Sequence, residues 1–530
     1  MTASLAAAPA PERAGRLSAL RTRLLPPLPA SALWGWAGPL LVTAFGTWLR
    51  FNRLSIPKTV IFDETYYVPD AFGILRYGVE HNYVAHRNTL ITNGNTHIFT
   101  HGGEFVVHPP MGKLLVAAGE GMFGLTPLGW RFAVAVAGSL SILMLARIAR
   151  RMTGSTLLGC AAGLLMALDG LEFVLSRTAL LDLFVMFWVL AAFGLLVIDR
   201  DRSRRRLAGA VAAGPAGGGG PAAVPADDGG PRLGIRWLRV AAGVCLGLAT
   251  ASKWNGVWFI LVFAAMSIAW DIGARRAAGV RSAVTGALAR DGGWLALTMG
   301  VVPLLTYLAS WTGWFVTGSG YDRHWAAQHG IHTPVISELV SLYQYHLAML
   351  NFNVGLHAHH PYQSQPWTWF TMARPVAFFW VCPTTGHGQC ASGTAQEVLA
   401  LGTPAIWWAS IAAVLLCLGW WLTRRDWRAG AVLAGVAAGW LPWFLFLSRT
   451  KFYFYSIAFE PFLILAITLC LGLVIGPAAA SARRRAVGAA VAGAYLLAVL
   501  VNFAYLYPVL AGKIVPYGAW LARMWYHGWI

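Results

Sequence analysis

Arginines in this chain gather at every second gap between long apolar stretches, and that alternation constrains the fold more than any other feature. Eleven stretches read as membrane spans: about 33–51, 128–149, 154–171, 178–198, 235–251, 255–271, 293–316, 401–422, 430–447, 455–476 and 487–507. A helix needs about twenty such residues to cross the hydrocarbon core. Basic clusters precede the first span. Others follow the second (Arg147, Arg150, Arg151), fourth (Arg204–Arg206), sixth (Arg275, Arg276), eighth (Arg424, Arg425, Arg428) and tenth (Arg483–Arg485). Lys and Arg are retained on the cytoplasmic side of a membrane. All six clusters fall on that side if residues 1–32, which are basic, rich in Ala and Pro and without a signal-peptide core, form a cytoplasmic N-terminal tail. The expectation is an all-α polytopic membrane protein of about eleven transmembrane helices in a domain covering 33–507. Its large loops at 52–127 and 317–400, and a tail at 508–530, are then extracytoplasmic. The Gly-, Pro- and Ala-rich part of the loop at 199–234 is expected to be cytoplasmic and disordered.

Composition agrees where it bears on this. Charged residues make up 12% of the chain, against about 25% in soluble domains, and 26 tryptophans suit two interfacial belts. The net charge of +19 does not indicate nucleic acid, because the basic residues lie in short clusters between apolar spans. The expected surroundings are membrane lipids. Residues 109–124 are too short for a span and contain Lys113 and Glu120. Opened by Pro109 and Pro110, they read as an amphipathic juxtamembrane helix at the outer interface. Cys382 and Cys390, eight residues apart in a polar loop on the oxidising side, are expected to form a disulfide.

Once sidedness is assigned, the charged residues of the outer face can be collected. Asp63 and Glu64 stand side by side in Ile-Phe-Asp-Glu-Thr-Tyr-Tyr, just past the first span. Lys113 follows His108 in His-Pro-Pro-Met-Gly-Lys. Arg131 opens the second span, and Asp169, Glu172, Arg177 and Asp182 flank the turn between the third and fourth. Lys253 lies in Ser-Lys-Trp-Asn-Gly, and Arg449 and Lys451 in Ser-Arg-Thr-Lys. Cations on the side that disfavours them call for a reason, either an anionic ligand at the outer surface or snorkelling to lipid phosphate. An anion beside a carboxylate pair fits sugar transfer from a polyprenyl phosphate. The phosphate is already a good leaving group and needs cations rather than an acid, so one carboxylate acts as base toward the acceptor hydroxyl. His357, His359 and His360 lack Cys or Asp at metal-ligand spacing. They are assigned to hydrogen bonding, and no metal or other cofactor is assigned. Trp367 and Trp369 are read as stacking platforms or interfacial anchors.

These motifs, in this order, carry a resemblance: Phe-Asp-Glu, His-Pro-Pro-x-Gly-Lys, the arginine at 131, Ser-Arg-x-x-x-Leu-Asp at 176–182, Ser-Lys-Trp-Asn-Gly and Leu-His-Ala-His-His-Pro-Tyr at 356–362. The chain resembles the protein O-mannosyltransferases of actinobacterial type, within the GT-C group of membrane glycosyltransferases. The resemblance implies inverting transfer of one mannose from a polyprenyl phosphate mannose to Ser or Thr hydroxyls of exported proteins. This would occur at the outer face of the cell membrane, with acceptors arriving near the Sec translocon. It implies Asp63 as base and Glu64 as its organising partner. Arg131, Lys253, His359 and Arg449 join Lys113 as expected contacts of the donor phosphate or sugar. Two departures stand out. The 317–400 loop is too short for the β-rich domain of eukaryotic members, and Phe370 stands where Pro is expected after Trp369. The rival readings are a GT-C transferase with a lipid or glycan acceptor, and a transporter or flippase. The latter predicts inverted repeats that the sequence does not display.

Overall fold

The computed structural model describes residues 10–25, 31–213, 229–382 and 393–530. Cys382 is disulfide-bonded, and Cys390 lies outside the described residues. Each expected span overlaps a helix. Seven are long and apolar enough to cross a membrane: Pro127–Thr153, the helix from Leu181, Gly256–Ala277, Ala283–Ser310, Pro404–Arg424, Trp427–Phe446 and Ala482–Leu510. The helix Ala32–Phe51 has twenty residues. Thr156–Ala167, Trp237–Ser252 and Glu460–Ile475 are apolar but shorter.

Local chemistry sets the helix boundaries. Ser31, Thr126 and Ser155 each cap a helix by accepting a backbone N–H through the side-chain hydroxyl. Pro127 sits at the first turn, where its missing N–H is harmless. Gly154, at φ 70°, ends the Pro127–Thr153 helix in the left-handed conformation, and Ser155 at once starts the next. The result is a tight helical hairpin.

Two features differ from the sequence expectation. The fourth helix does not stop at 198 but runs from Leu181 to Ala213, so the loop expected to be disordered begins as helix; residues 214–228 lie outside the described residues. Asp199 and Asp201 on that extension pair with Arg236 and Arg151, which holds it against neighbouring helices. The two large loops and the C-terminal segment also carry two small antiparallel sheets within an otherwise helical fold. His81–Tyr83 pairs with Phe99–Gly103. Val376–Val381 pairs with Thr394–Ala400, which pairs in turn with Ile514–Pro516. The C-terminal segment is therefore docked rather than loose. Trp520 Nε1 donates to Glu397 at 2.7 Å, and Trp529 Nε1 to the Met372 carbonyl at 2.8 Å.

In the large loop after helix Ala32–Phe51, helix Glu64–Tyr77 packs against helix Met111–Phe123. The latter is the juxtamembrane helix expected from 109–124. Asp63 heads the first of these helices, at the junction of the loop and the helix bundle.

Candidate functional site

Asp63 and Glu64 are neighbours in sequence with opposite surroundings. Glu64 is fully buried, and its carboxylate is saturated. It accepts Arg131 Nε and Nη2, both at 2.8 Å, and the backbone N–H groups of Ile61 and Ala179, both at 3.0 Å. Asp63 occupies the N-cap of the same helix but makes no capping bond through its side chain. Among the described residues its carboxylate has neither a hydrogen-bond nor an ion-pair partner. Burial, with Asp182 adding to it, lifts its pKa from 3.8 to about 7, although Lys253 pulls the other way. That is the range in which a carboxylate serves as a general base near neutral pH.

The preceding residue explains how Asp63 is aimed. Phe62 has φ 46°, a left-handed conformation that is unusual for an aromatic residue. Its ring stacks on Phe378 at 4.7 Å and meets Phe452 and Phe454 edge-on. This aromatic anchor holds the strained turn.

Arg131 does not meet the expectation of a donor contact. It is fully buried. Besides Glu64, it donates to the carbonyls of Leu54, Pro57 and Thr59, at 3.3, 2.8 and 3.0 Å. All five guanidinium N–H bonds have protein acceptors, which leaves none for a phosphate. It ties the loop after the first helix to Glu64. Lys113 is likewise turned inward, with 1% of its surface exposed. It faces Asp70 at 3.8 Å, pairs with Glu80 and donates to the His108 carbonyl at 3.1 Å. Its helix packs on the helix that carries Asp70, so a cation at that position meets carboxylates rather than solvent.

Lys253 and Arg449 do come together. They line one hollow of about 290 Å³ with His108, Asn255 and Asn353. Lys253 Nζ lies 2.9 and 2.8 Å from the two oxygens of Asp182 and 4.4 Å from the centre of the Tyr455 ring. Burial opposes its charge, but Asp182, Tyr455 and Asp63 outweigh that, and its pKa is raised. Arg449 has only neutral partners: the Asn353 carbonyl and side-chain oxygen at 3.0 Å, and the Thr450 carbonyl at 3.2 Å. Its positive charge is therefore uncompensated among the described residues. His108 is held well below its ordinary pKa by burial and then by Lys253, Lys113 and Arg449, which makes it a neutral imidazole. The rest of the hollow is apolar, with Val257, Leu350, Val354 and Phe446 each more than a third exposed. One end can thus hold an anion while the walls receive a hydrocarbon chain.

His359 is exposed and does not line this hollow. Its segment is nevertheless tied to the segment of Arg449: Thr450 N–H donates to the Leu356 carbonyl at 3.0 Å, and Ser364 N–H to the Lys451 carbonyl at 2.9 Å. Trp369 is buried and donates to Ser364 at 3.0 Å, so it is a packing residue, whereas Trp367 is exposed.

Asp182, collected from the sequence with the other charged residues but given no role there, pairs with Lys253 beside the hollow. The signal was present in Ser-Arg-x-x-x-Leu-Asp. Arg177 of that motif clamps the carbonyls ending the first helix, including Asn52 at 2.6 Å and Arg53 at 2.8 Å. Ala179 N–H reaches Glu64, and Asp182 holds Lys253. One short turn orients both acidic partners of the site.

Comparison with known proteins points to one family. Residues 107–220 match the dolichyl-phosphate-mannose-protein mannosyltransferase family model. Residues 339–529 match the model of the C-terminal four-transmembrane region of protein O-mannosyltransferase. The chain is 38% identical over 513 residues to the polyprenol-phosphate-mannose–protein mannosyltransferase of Mycobacterium tuberculosis, covering 94% of this chain and 93% of that one. It is 32% identical over 535 residues to the protein of the same name from Corynebacterium glutamicum, covering 97% and 98%. Its fold is similar to that of the S. cerevisiae protein O-mannosyltransferase Pmt1–Pmt2 complex bound to the sugar donor. The TM-score is 0.67 at 15% identity, with 97% of this chain and 94% of that one covered. The chain belongs to the protein O-mannosyltransferase family.

Proposed function

We propose that this enzyme transfers a single mannose from a polyprenyl phosphate mannose to Ser or Thr hydroxyls of exported proteins, with inversion, at the extracytoplasmic face of a membrane crossed about eleven times. The observation that carries this reading is one unpaired carboxylate, Asp63, within electrostatic reach of Lys253 at an anion-accepting hollow with membrane-type walls. The acceptor oxygen attacks C1 of mannose as Asp63 removes its proton, and the C1–O bond to phosphate breaks. The negative charge left on the polyprenyl phosphate is received by Arg449 and Lys253, with His108 as a neutral hydrogen-bonding partner. The other two carboxylates beside the site are engaged, Glu64 with Arg131 and Asp182 with Lys253. With one free carboxylate the reaction is a single displacement, which inverts the anomeric centre. The alternation of arginine clusters supports the sidedness. An acceptor delivered unfolded, as beside the Sec translocon, would present its hydroxyls to the site most readily.

Purified enzyme supplied with labelled polyprenyl phosphate mannose tests the acceptor class. Label is expected to enter a Ser/Thr-rich peptide and not the same peptide with Ala in place of Ser and Thr. Donor consumption with label only in lipid or glycan would overturn the reading. Arg449→Gln is expected to weaken donor binding by roughly 10- to 100-fold, the effect of one charge-assisted contact, while leaving the pH dependence of transfer unchanged. Titration of donor against wild type and variant checks this.

A further inference from the structure

A second hollow lies far from Asp63. It has a volume of about 780 Å³ and opens between helices Ala32–Phe51, Pro127–Thr153 and the helix from Leu181. Arg131 marks the active-site end of the Pro127–Thr153 helix, and Arg147 lies sixteen residues farther along it. At 1.5 Å per residue that is roughly 24 Å toward the opposite face of the bundle. The hollow is amphipathic. Its depth is walled by Leu143, Met144, Leu190, Leu195, Val197 and Ile198, and its rim carries Arg147, Arg150 and Arg151.

The arginines are held in place but only partly occupied. The Arg147 guanidinium lies 3.8 Å from the centre of the Trp36 ring and donates one Nη1 bond to the Gly35 carbonyl. Arg150 donates through Nε to Thr156 at 2.9 Å and through Nη2 to the Ser31 carbonyl at 2.8 Å. Arg151 Nε donates to Asp201 at 2.9 Å. These bonds use one N–H of Arg147, two of Arg150 and one of Arg151, fewer than the five each guanidinium carries. Among the described residues no carboxylate neutralises Arg147 or Arg150. Snorkelling arginines alone would need no concavity beneath them. In this hollow three arginines and apolar side chains line one cleft, a combination that suits an anionic headgroup with acyl chains.

We propose that this hollow is a binding site for an anionic phospholipid of the leaflet opposite the active site. The phosphate sits among Arg147, Arg150 and Arg151, and an acyl chain lies against the wall formed by the helix from Leu181. The site is separate from the donor hollow and shares no residue with it.

The test uses the whole protein, delipidated in neutral detergent. Phosphatidylglycerol and phosphatidylcholine are titrated in turn, and bound lipid is counted by native mass spectrometry. Wild type is expected to retain one phosphatidylglycerol at least about tenfold more tightly than phosphatidylcholine, two uncompensated arginines contributing. Arg147→Gln/Arg150→Gln is expected to abolish that preference. Ala191→Trp, which keeps every charge but fills the cleft, is expected to lose the lipid as well. Both variants are checked for folding by donor binding. Equal retention of the two phospholipids by wild type, or unchanged phosphatidylglycerol binding in both variants, would overturn the proposal. So would one-for-one displacement of phosphatidylglycerol by a polyprenyl phosphate, since the hollow would then be a second site for the prenyl lipid.

Discussion

Asp63→Asn slows mannosyl transfer by about 10²- to 10⁴-fold, the range associated with loss of a positioned general base, and leaves donor binding intact. Asn has nearly the shape of Asp and cannot take the acceptor proton. Because no group among the described residues bonds to the Asp63 carboxylate, the substitution breaks no described contact. Stability adds an independent check. The folded-state pKa of Asp63 is raised from 3.8 to about 7. A raised carboxyl pKa means that folding stability is lost as pH rises from the unfolded value to the folded one, and the loss is complete above about pH 7. The Asn variant has no such loss. At pH 8 it is therefore expected to melt at or above the wild-type temperature while being nearly inactive. Most active-site failures caused by misfolding would show the reverse. Thermal unfolding at pH 5 and pH 8, run beside the transfer assay, separates the two.

Arg131 predicts the opposite pattern. Arg131→Leu leaves the Glu64 carboxylate buried without its cation and releases three loop carbonyls. Breaking a buried ion pair from one side is destabilising by about 3–5 kcal/mol. The variant is expected to melt at least several degrees lower and to lose activity with it. Arg131→Lys is not expected to rescue. Three donors on a flexible stem cannot replace five in a fixed fork that serves a carboxylate and three carbonyls at once. If Arg131 instead touched the donor phosphate, the Lys variant would fold normally and differ only in donor affinity. Melting temperature and donor titration on the same preparations decide between brace and ligand.

The apolar helices and their order were legible in the sequence because each follows an apolar run. Asp63 could be singled out as a candidate because a carboxylate pair beside an apolar span is rare in so acid-poor a chain. The division of labour within that pair was not, since it depends on an arginine 67 residues away in sequence and on a backbone N–H 115 away. Collecting cations at helix ends found Lys253 and Arg449. It equally collected Arg131 and Lys113, because position at a helix end does not report whether the side chain meets a protein carboxylate. Asp182 was collected too, but its pairing was not readable, since its partner Lys253 is 71 residues on. The strand Ile514–Pro516 spans only three residues, too few for an alternating pattern to mark it. The docking of the C-terminal segment therefore appears only in three dimensions.

The most direct test of Asp63 as the base is the pH dependence of kcat/KM for the donor, with a Ser/Thr peptide as acceptor, in wild type and in Asp63→Asn. In the free enzyme wild-type activity is expected to rise as a single proton is lost with a midpoint near 7, and to level off above it. The variant is expected to retain only a low residual rate without that limb. A limb of the same midpoint persisting in Asp63→Asn would assign the titration to another group and contradict the role of Asp63 as the base.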